Sequence, residues 1–265
     1  MGFDWIASPA CTELEVIVLD WLCRFLNLPQ KFLNLADGPG GSVIQGSAGE
    51  AAIVAFLAAI ARKQKKSKAA GTAVSRDNMV VFASDQAHAI VQKACMVLGI
   101  GHFRLVETTV EYGYYALNPL ALEKAVQSEV EQGRVPIVIV ATTGTTSSCA
   151  FDPLSEIGEV ALKYDCWYHI DAAYGGAYAC LPEFKHLFSG MENVDSFVMN
   201  CHKKLLCPFD LSAMYVANRQ PILDALSLQP EYLRNSFSES QAVVDYEHWQ
   251  LPLGRRFRAL KLWFV

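Results

Sequence analysis

Pro136-Ile137-Val138-Ile139-Val140-Ala141-Thr142 is an uninterrupted apolar, largely β-branched run that stops at a hydroxyl-rich stretch, Thr142-Thr143-Gly144-Thr145-Thr146. A strand without polar alternation is buried on both faces, and such strands belong to parallel sheets covered by crossover helices. The chain on either side alternates accordingly. Upstream, strand patterns at Met79–Ala83 and Phe103–Val106 are interleaved with helical patterns at 86–98 and 119–132. Downstream, a helix at 154–164 precedes strands at Trp167–Ile170, Ser196–Met199 and Ala213–Val216, with short helices near 183–189 and 220–226. Two longer helical patterns, 14–26 and 50–66, flank a Gly-rich turn, Asp37-Gly38-Pro39-Gly40-Gly41; Thr12, with Glu15 three residues on, reads as the N-cap of the first. This order predicts an α/β fold with a mostly parallel central sheet and helices on both faces. The stretch 229–265 is polar and irregular before a basic amphipathic helix start, so the expected division is a large domain at 1–228 and, at 229–265, the start of a segment leading out of it.

The 265 residues carry 22 Lys plus Arg against 27 Asp plus Glu, a net charge of −5, which gives no electrostatic reason to expect nucleic acid or membrane binding. The basic stretch Arg62–Lys68 reads as a solvated helix end that complements the dipole. Eight cysteines include no C-x-x-C pair and no ligand spacing with histidine, which argues against a metal centre and for a reducing, cytoplasmic setting. No secretory leader pattern is expected at the N-terminus, and the longest apolar stretch, 50–60, is too short to span a bilayer.

Ligands of open parallel sheets gather beyond the carboxyl ends of the strands. The polar residues falling there are Ser84, Asp85 and His88, then Thr142 to Thr146, then Asp171, then Asn200, His202 and Lys203. Asp171 ends an interior strand, where a carboxylate costs several kcal/mol unless paired. It reads equally as the partner of a protonated pyridine nitrogen and as a cap for Ala172-Ala173-Tyr174-Gly175-Gly176. Lys203, beside Lys204 and the apolar Leu205-Leu206-Cys207-Pro208, is expected to be desolvated and repelled by like charge, as a Schiff-base lysine requires. Gly46-Ser47-Ala48-Gly49 opens a helix with residues small enough for backbone N–H groups to close on a phosphate. Neither a Walker loop nor a G-x-S-x-G elbow is present.

Ala7-Ser8-Pro9-Ala10-Cys11-Thr12-Glu13-Leu14-Glu15, Asp85-Gln86-Ala87-His88, His169-Ile170-Asp171-Ala172-Ala173-Tyr174, Asn200-x-His202-Lys203 and Pro252-Leu253-Gly254-Arg255-Arg256-Phe257-Arg258 follow one another in the order found in the group II pyridoxal-phosphate decarboxylases. Among these, the chain most resembles the animal aromatic-L-amino-acid decarboxylases. The resemblance implies the fold type I large domain of pyridoxal-phosphate (PLP) enzymes, a homodimer, an aromatic amino acid as substrate, and decarboxylation to an arylalkylamine in monoamine (catecholamine) biosynthesis. It implies that Lys203 holds the cofactor as a Schiff base, that Asp171 pairs with the pyridine nitrogen and that His88 stacks on the ring. Ser47, Ala48, Asn200 and His202 would hold the phosphate. Thr146 and Ala173 would line the ring, with Asp152 near the same pocket. Phe3, acting across the dimer interface, and Gly254 would lie near the substrate.

Four departures accompany the resemblance. Gly49 stands where Ser is usual, Cys201 where Pro is usual and Lys204 where Trp is usual. The chain also lacks about a hundred residues at each end of the family pattern, and its end at Phe264-Val265 reads as a truncation. The departures keep open an impaired, truncated paralogue or isoform acting through dimerisation. Aromatic acetaldehyde synthesis is a further alternative, against which His88 speaks.

Overall fold

The computed structural model describes residues 2–112, 114–228 and 243–265. Its centre is a seven-stranded sheet built from β1 (Gly41–Gln45), β2 (Met79–Ser84), β3 (His102–Val106), β6 (Val135–Thr142), β7 (Trp167–Asp171), β8 (Ser196–Asn200) and β9 (Ser212–Val216), in the spatial order β1-β9-β8-β7-β6-β2-β3. From β8 to β3 every neighbouring pair is parallel; β9 runs antiparallel to both β8 and β1. A two-residue ladder, β4 (Thr108–Thr109) with β5 (Ala116–Leu117), stands apart from the sheet. It is too short for any periodicity to announce it.

The β6 run is buried from Pro136 to Thr142, as its composition requires. The pleat still sorts its side chains. Ile139 and Ala141 join Val80, Phe82, Tyr168, Ile170, Phe197 and Tyr215 on one face, under α1 (Pro9–Phe25), α4 (Pro119–Glu131) and α5 (Leu154–Lys163). Val138 and Val140 join Val81, Ala83, Trp167, Val198 and Met214 on the other, under α2 (Ala48–Ala69), α3 (Ile90–Leu98) and α6 (Gln220–Leu226). The period-2 signal is present but invisible in sequence because both faces are apolar.

Three local expectations need correction. The first helix begins at Pro9 with Ser8 as N-cap, so Thr12 lies inside it, and Glu15 is fully buried instead of serving a capping box. Pro at the first helical position explains the earlier start. The helix read at 86–98 begins only at Ile90, leaving His88 in the turn before it. The Arg62–Lys68 stretch is not simply a solvated helix end: Arg62 pairs with Asp195, Lys63 and Lys66 with Asp165, and Lys65 with Asp224.

The segment 243–265 packs back onto this body. Tyr246 and Trp249 enter the core, and α7 (Arg258–Phe264) lies against α1. Residues 229–242 lie outside the described residues, so the boundary placed at 228/229 rests on the sequence.

Candidate active site

Five strands end on the same side of the sheet, and each leads into a residue that lines one cleft of about 470 Å³. β1 leads to Ser47 and Ala48, β2 to His88, β6 to Thr142 and Thr146, β7 to Asp171 and Ala173, and β8 to Asn200, His202 and Lys203. Every cofactor-binding residue inferred from the sequence therefore lies around one space. Phe3 and Gly254 are not in its lining: Phe3 accepts a backbone hydrogen bond from Glu247, and Gly254 is exposed.

The floor is Asp171, only 4% exposed at the end of β7. Its Oδ1 accepts the amide N–H of Ala173 at 3.1 Å, which is the capping role read as one of two alternatives. Among the described residues it has no direct ion-pair partner. Burial raises its carboxyl above the ordinary value, opposed by the Ala173 amide and, from further away, by Lys203 and His88. Thr142, beside it in register and also lining the cleft, has a buried Oγ1 with no hydrogen-bond partner. A buried acid and an orphaned hydroxyl facing one cleft both call for a polar ligand.

One wall is the N-terminus of α2. Ser47 is its N-cap and accepts the Glu50 amide at 3.1 Å, while Glu50 Oε2 accepts the Gly46 amide at 3.0 Å. Ser47-x-x-Glu50 is a capping-box pattern not anticipated from the sequence, and it leaves the amides of Ala48 and Gly49 at the cleft. Gly49 has room to spare: a Cβ there would meet nothing closer than Ser47 Oγ at 3.6 Å. A serine would fit, so glycine removes a hydroxyl without reshaping the wall. Ser47→Ala is expected to cost about 1 kcal/mol through the lost cap. The check is a fall in Tm of about 2–4 °C, together with weaker retention of a phosphate-bearing ligand.

The opposite wall follows β8. Ser212 on β9 donates to Asn200 Oδ1 at 2.6 Å, which leaves the Asn200 amide group free to donate. The Leu211 amide donates to His202 Nδ1 at 2.9 Å, so the neutral ring carries its proton on Nε2; burial lowers this histidine below its usual range. His88 is set in the same tautomer by the Ile90 amide, which donates to Nδ1 at 3.1 Å. Ser212 and Leu211 could not be foreseen, because the antiparallel β9 brings them to Asn200 and His202 across the sheet. The desolvation expected at Lys203 is not found: Lys203 and Lys204 are exposed, as is Leu206. Lys204 instead turns its ammonium onto Tyr174.

Asp152 lies under this site, not in its lining. Its two carboxylate oxygens accept the amides of Leu117 and Thr142, both at 2.7 Å, tying β5 to the end of β6. Burial pushes its carboxyl up to about 7 despite those bonds. An acid whose folded pKa lies above its unfolded value binds more protons when folded, so its contribution to stability falls as pH rises from about 4 to about 7. The stability of the wild type relative to Asp152→Asn is expected to drop by about 2 kcal/mol between pH 5 and pH 8. Urea unfolding at the two pH values checks this, and an unchanged difference would refute it.

The profile described as "Pyridoxal-dependent decarboxylase conserved domain" matches residues 1–265. The chain belongs to the pyridoxal-dependent decarboxylase family. It is 48% identical over 267 residues to tyrosine decarboxylase 2 of Narcissus pseudonarcissus, covering 100% of this chain and 52% of that protein. It is 46% identical over 269 residues to aromatic-L-amino-acid decarboxylase of Sus scrofa, covering 100% of this chain and 54% of that one. The solved structure of Oryza sativa TDC with PLP and tryptamine superposes with a TM-score of 0.94 at 42% identity, covering 99% of this chain and 53% of that one. The chain thus spans about half the length of these decarboxylases and has their fold type I sheet.

Proposed function

We propose that this chain forms the cofactor-binding part of a PLP-dependent decarboxylase that converts an aromatic L-amino acid to its arylalkylamine and CO2. The observation that carries the reading is the convergence of Lys203, Asp171, His88 and the α2 N-terminus on one cleft. The residues fit the cofactor: a helix N-terminus and the donors of Asn200 and His202 suit a phosphate, and the buried Asp171 suits a protonated ring nitrogen. When bound, PLP supplies an electron sink for the pair released as the Cα–carboxylate bond breaks.

The chain's own residues do the rest. Lys203 would offer the amine that holds the cofactor aldehyde. Asp171, kept from water, would pair with a protonated ring nitrogen and stabilise its positive charge. His88, whose Nδ1 accepts the Ile90 amide, lines the cleft and would stack on the ring, with Nε2–H as a proton donor. Thr146 and Ala173, which line the cleft, would flank the ring, and Phe3 and Gly254 would lie on the substrate side of the assembled enzyme. His88 favours decarboxylation over aldehyde formation. The gathered site speaks against an impaired module, because Gly49, Cys201 and Lys204 are accommodated without closing the cleft.

We also propose a homodimer, a cytoplasmic location and a role in monoamine formation. Exposed apolar side chains at Leu206, Phe209, Trp263 and Phe264 support a covered surface. All eight cysteines are free, as a reducing compartment requires. Among the described residues, no helix is long and apolar enough to cross a membrane. The deciding experiment adds PLP to the purified protein, records the visible absorbance, reduces with borohydride and maps the tagged peptide. A tag on Lys203, with CO2 and amine released from an aromatic amino acid, is the expected result. A tag without CO2 would favour the impaired module, and an aldehyde product would favour the synthase.

A further inference from the structure

Lys203 and Lys204 are neighbours in sequence with different surroundings. Lys203 lines the cleft, as does Tyr174, but Lys204 does not. The Lys204 ammonium lies 4.4 Å from the centroid of the Tyr174 ring and 5.8 Å from that of Tyr178. Both tyrosines belong to one rigid piece: Tyr174 is the N-cap of the 3-10 helix Gly175–Cys180, and Tyr178 is within it.

That piece has little freedom to move. The Gly175 amide bonds Thr143 O at 3.0 Å, and a Cβ on Gly176 would stand 2.8 Å from Met199 Cγ. The lysine turn is closed on itself by Lys203 N to Asn200 O at 3.0 Å and Cys207 N to Cys201 O at 3.2 Å, with Leu206 in the left-handed region at φ 58°. Lys204 bridges the two units, where the family resemblance puts a tryptophan. An aromatic ring there would pack on tyrosines; a cation binds their faces and hydroxyls instead.

Resting on the cofactor reading above, we infer that Lys204 is a positioning residue: its ammonium, held on Tyr174 and Tyr178, pins the lysine turn so that Lys203, and not Lys204, is the amine which that turn presents to the cleft. Two exposed amines side by side would otherwise compete for one aldehyde. Hydrogen bonding to Tyr174, opposed by desolvation and helped less strongly by Tyr178, raises the Lys204 amine above its ordinary value. A lysine held in its ammonium form is not a nucleophile. The same contact steadies Tyr174, whose ring faces the Gly144 turn.

The test has two arms. The first needs no cofactor: competitive acetylation of the wild-type protein at pH 9, with peptide mapping. Lys204 is expected to react several-fold more slowly than the exposed Lys68, and to approach the Lys68 rate in the Tyr174→Leu/Tyr178→Leu double variant. The second arm is PLP addition and borohydride reduction. Wild type should carry its tag on Lys203; Lys204→Met should acquire that tag several-fold more slowly, Lys204→Arg should restore the rate, and the double tyrosine variant should share the tag with Lys204. Equal acetylation of Lys204 and Lys68 in wild type, or wild-type tagging of Lys203 in Lys204→Met, would overturn the inference. An untagged Lys203 in wild type would instead remove the cofactor reading on which it rests, and a tagged Lys203 with an unprotected Lys204 would remove this inference alone.

Discussion

Lys203→Met is expected to abolish borohydride-stable attachment of PLP and to lower turnover by about 10³-fold or more in the assembled enzyme. The estimate starts from the about 10²–10⁴-fold that a positioned acid–base group contributes and adds the loss of the amine nucleophile itself. Little of the effect should come from folding, because Lys203 is exposed and lies on a turn closed by backbone bonds. Unfolding curves for the variant and wild type should therefore nearly coincide while the absorbance of the bound cofactor changes. A variant that keeps its tag, on Lys204 or elsewhere, would show that Lys203 is not the attachment point.

Arg255→Leu is expected to be the most destabilising of the substitutions considered, by about 3–5 kcal/mol, the usual cost of stranding a buried charge. Arg255 and Glu15 have side chains 1% and 0% exposed and meet at 2.6 Å. Glu15 Oε1 also accepts the Ile44 amide at 2.8 Å, and Arg255 donates to Ile44 O at 2.9 Å and to Gln250 Oε1 at 2.8 Å. The guanidinium rests on the Tyr246 ring, 4.4 Å from its centroid. Removing it leaves Glu15 with one amide inside the core, and loosens the grip of the 243–258 segment on α1 and β1. Because β1 delivers Ser47, loss of cofactor affinity should accompany the loss of stability. The double variant Glu15→Leu/Arg255→Leu should recover much of the deficit, since apolar replacement of a buried pair is often tolerated. Chemical denaturation of the wild type, both single variants and the double variant closes the cycle; additive single effects would deny the coupling.

The lining of the candidate site was legible in sequence, for a physical reason. In a parallel sheet the catalytic side chains sit just past strand ends, so locating the apolar runs locates them too. Ser47, His88, Thr146, Asp171, Asn200 and Lys203 were each found that way or through the resemblance, and each lines the cleft. What escaped was anything that depends on a partner distant in the chain. Glu15 looked like part of a capping box because its neighbour Thr12 is a plausible cap, whereas its true partner is Arg255, 240 residues away. Lys203 looked buried because its neighbours are leucines, but Leu206 points outward and is 83% exposed.

The amino-acid sequence by itself determined the alternation of strands and helices, the double-sided burial of β6, and the residue types available at each strand end. These follow from local periodicity and from covalent neighbours, which a linear chain states directly. The tertiary structure alone decided that β9 runs antiparallel between β1 and β8, setting Ser212 and Leu211 against Asn200 and His202. It alone decided that Asp152 clamps β5 to β6, and that Lys204 turns to Tyr174 and Tyr178. Each of these needs two groups from separate segments at hydrogen-bonding or ring-contact distance, and only the packing of the whole sheet brings them there.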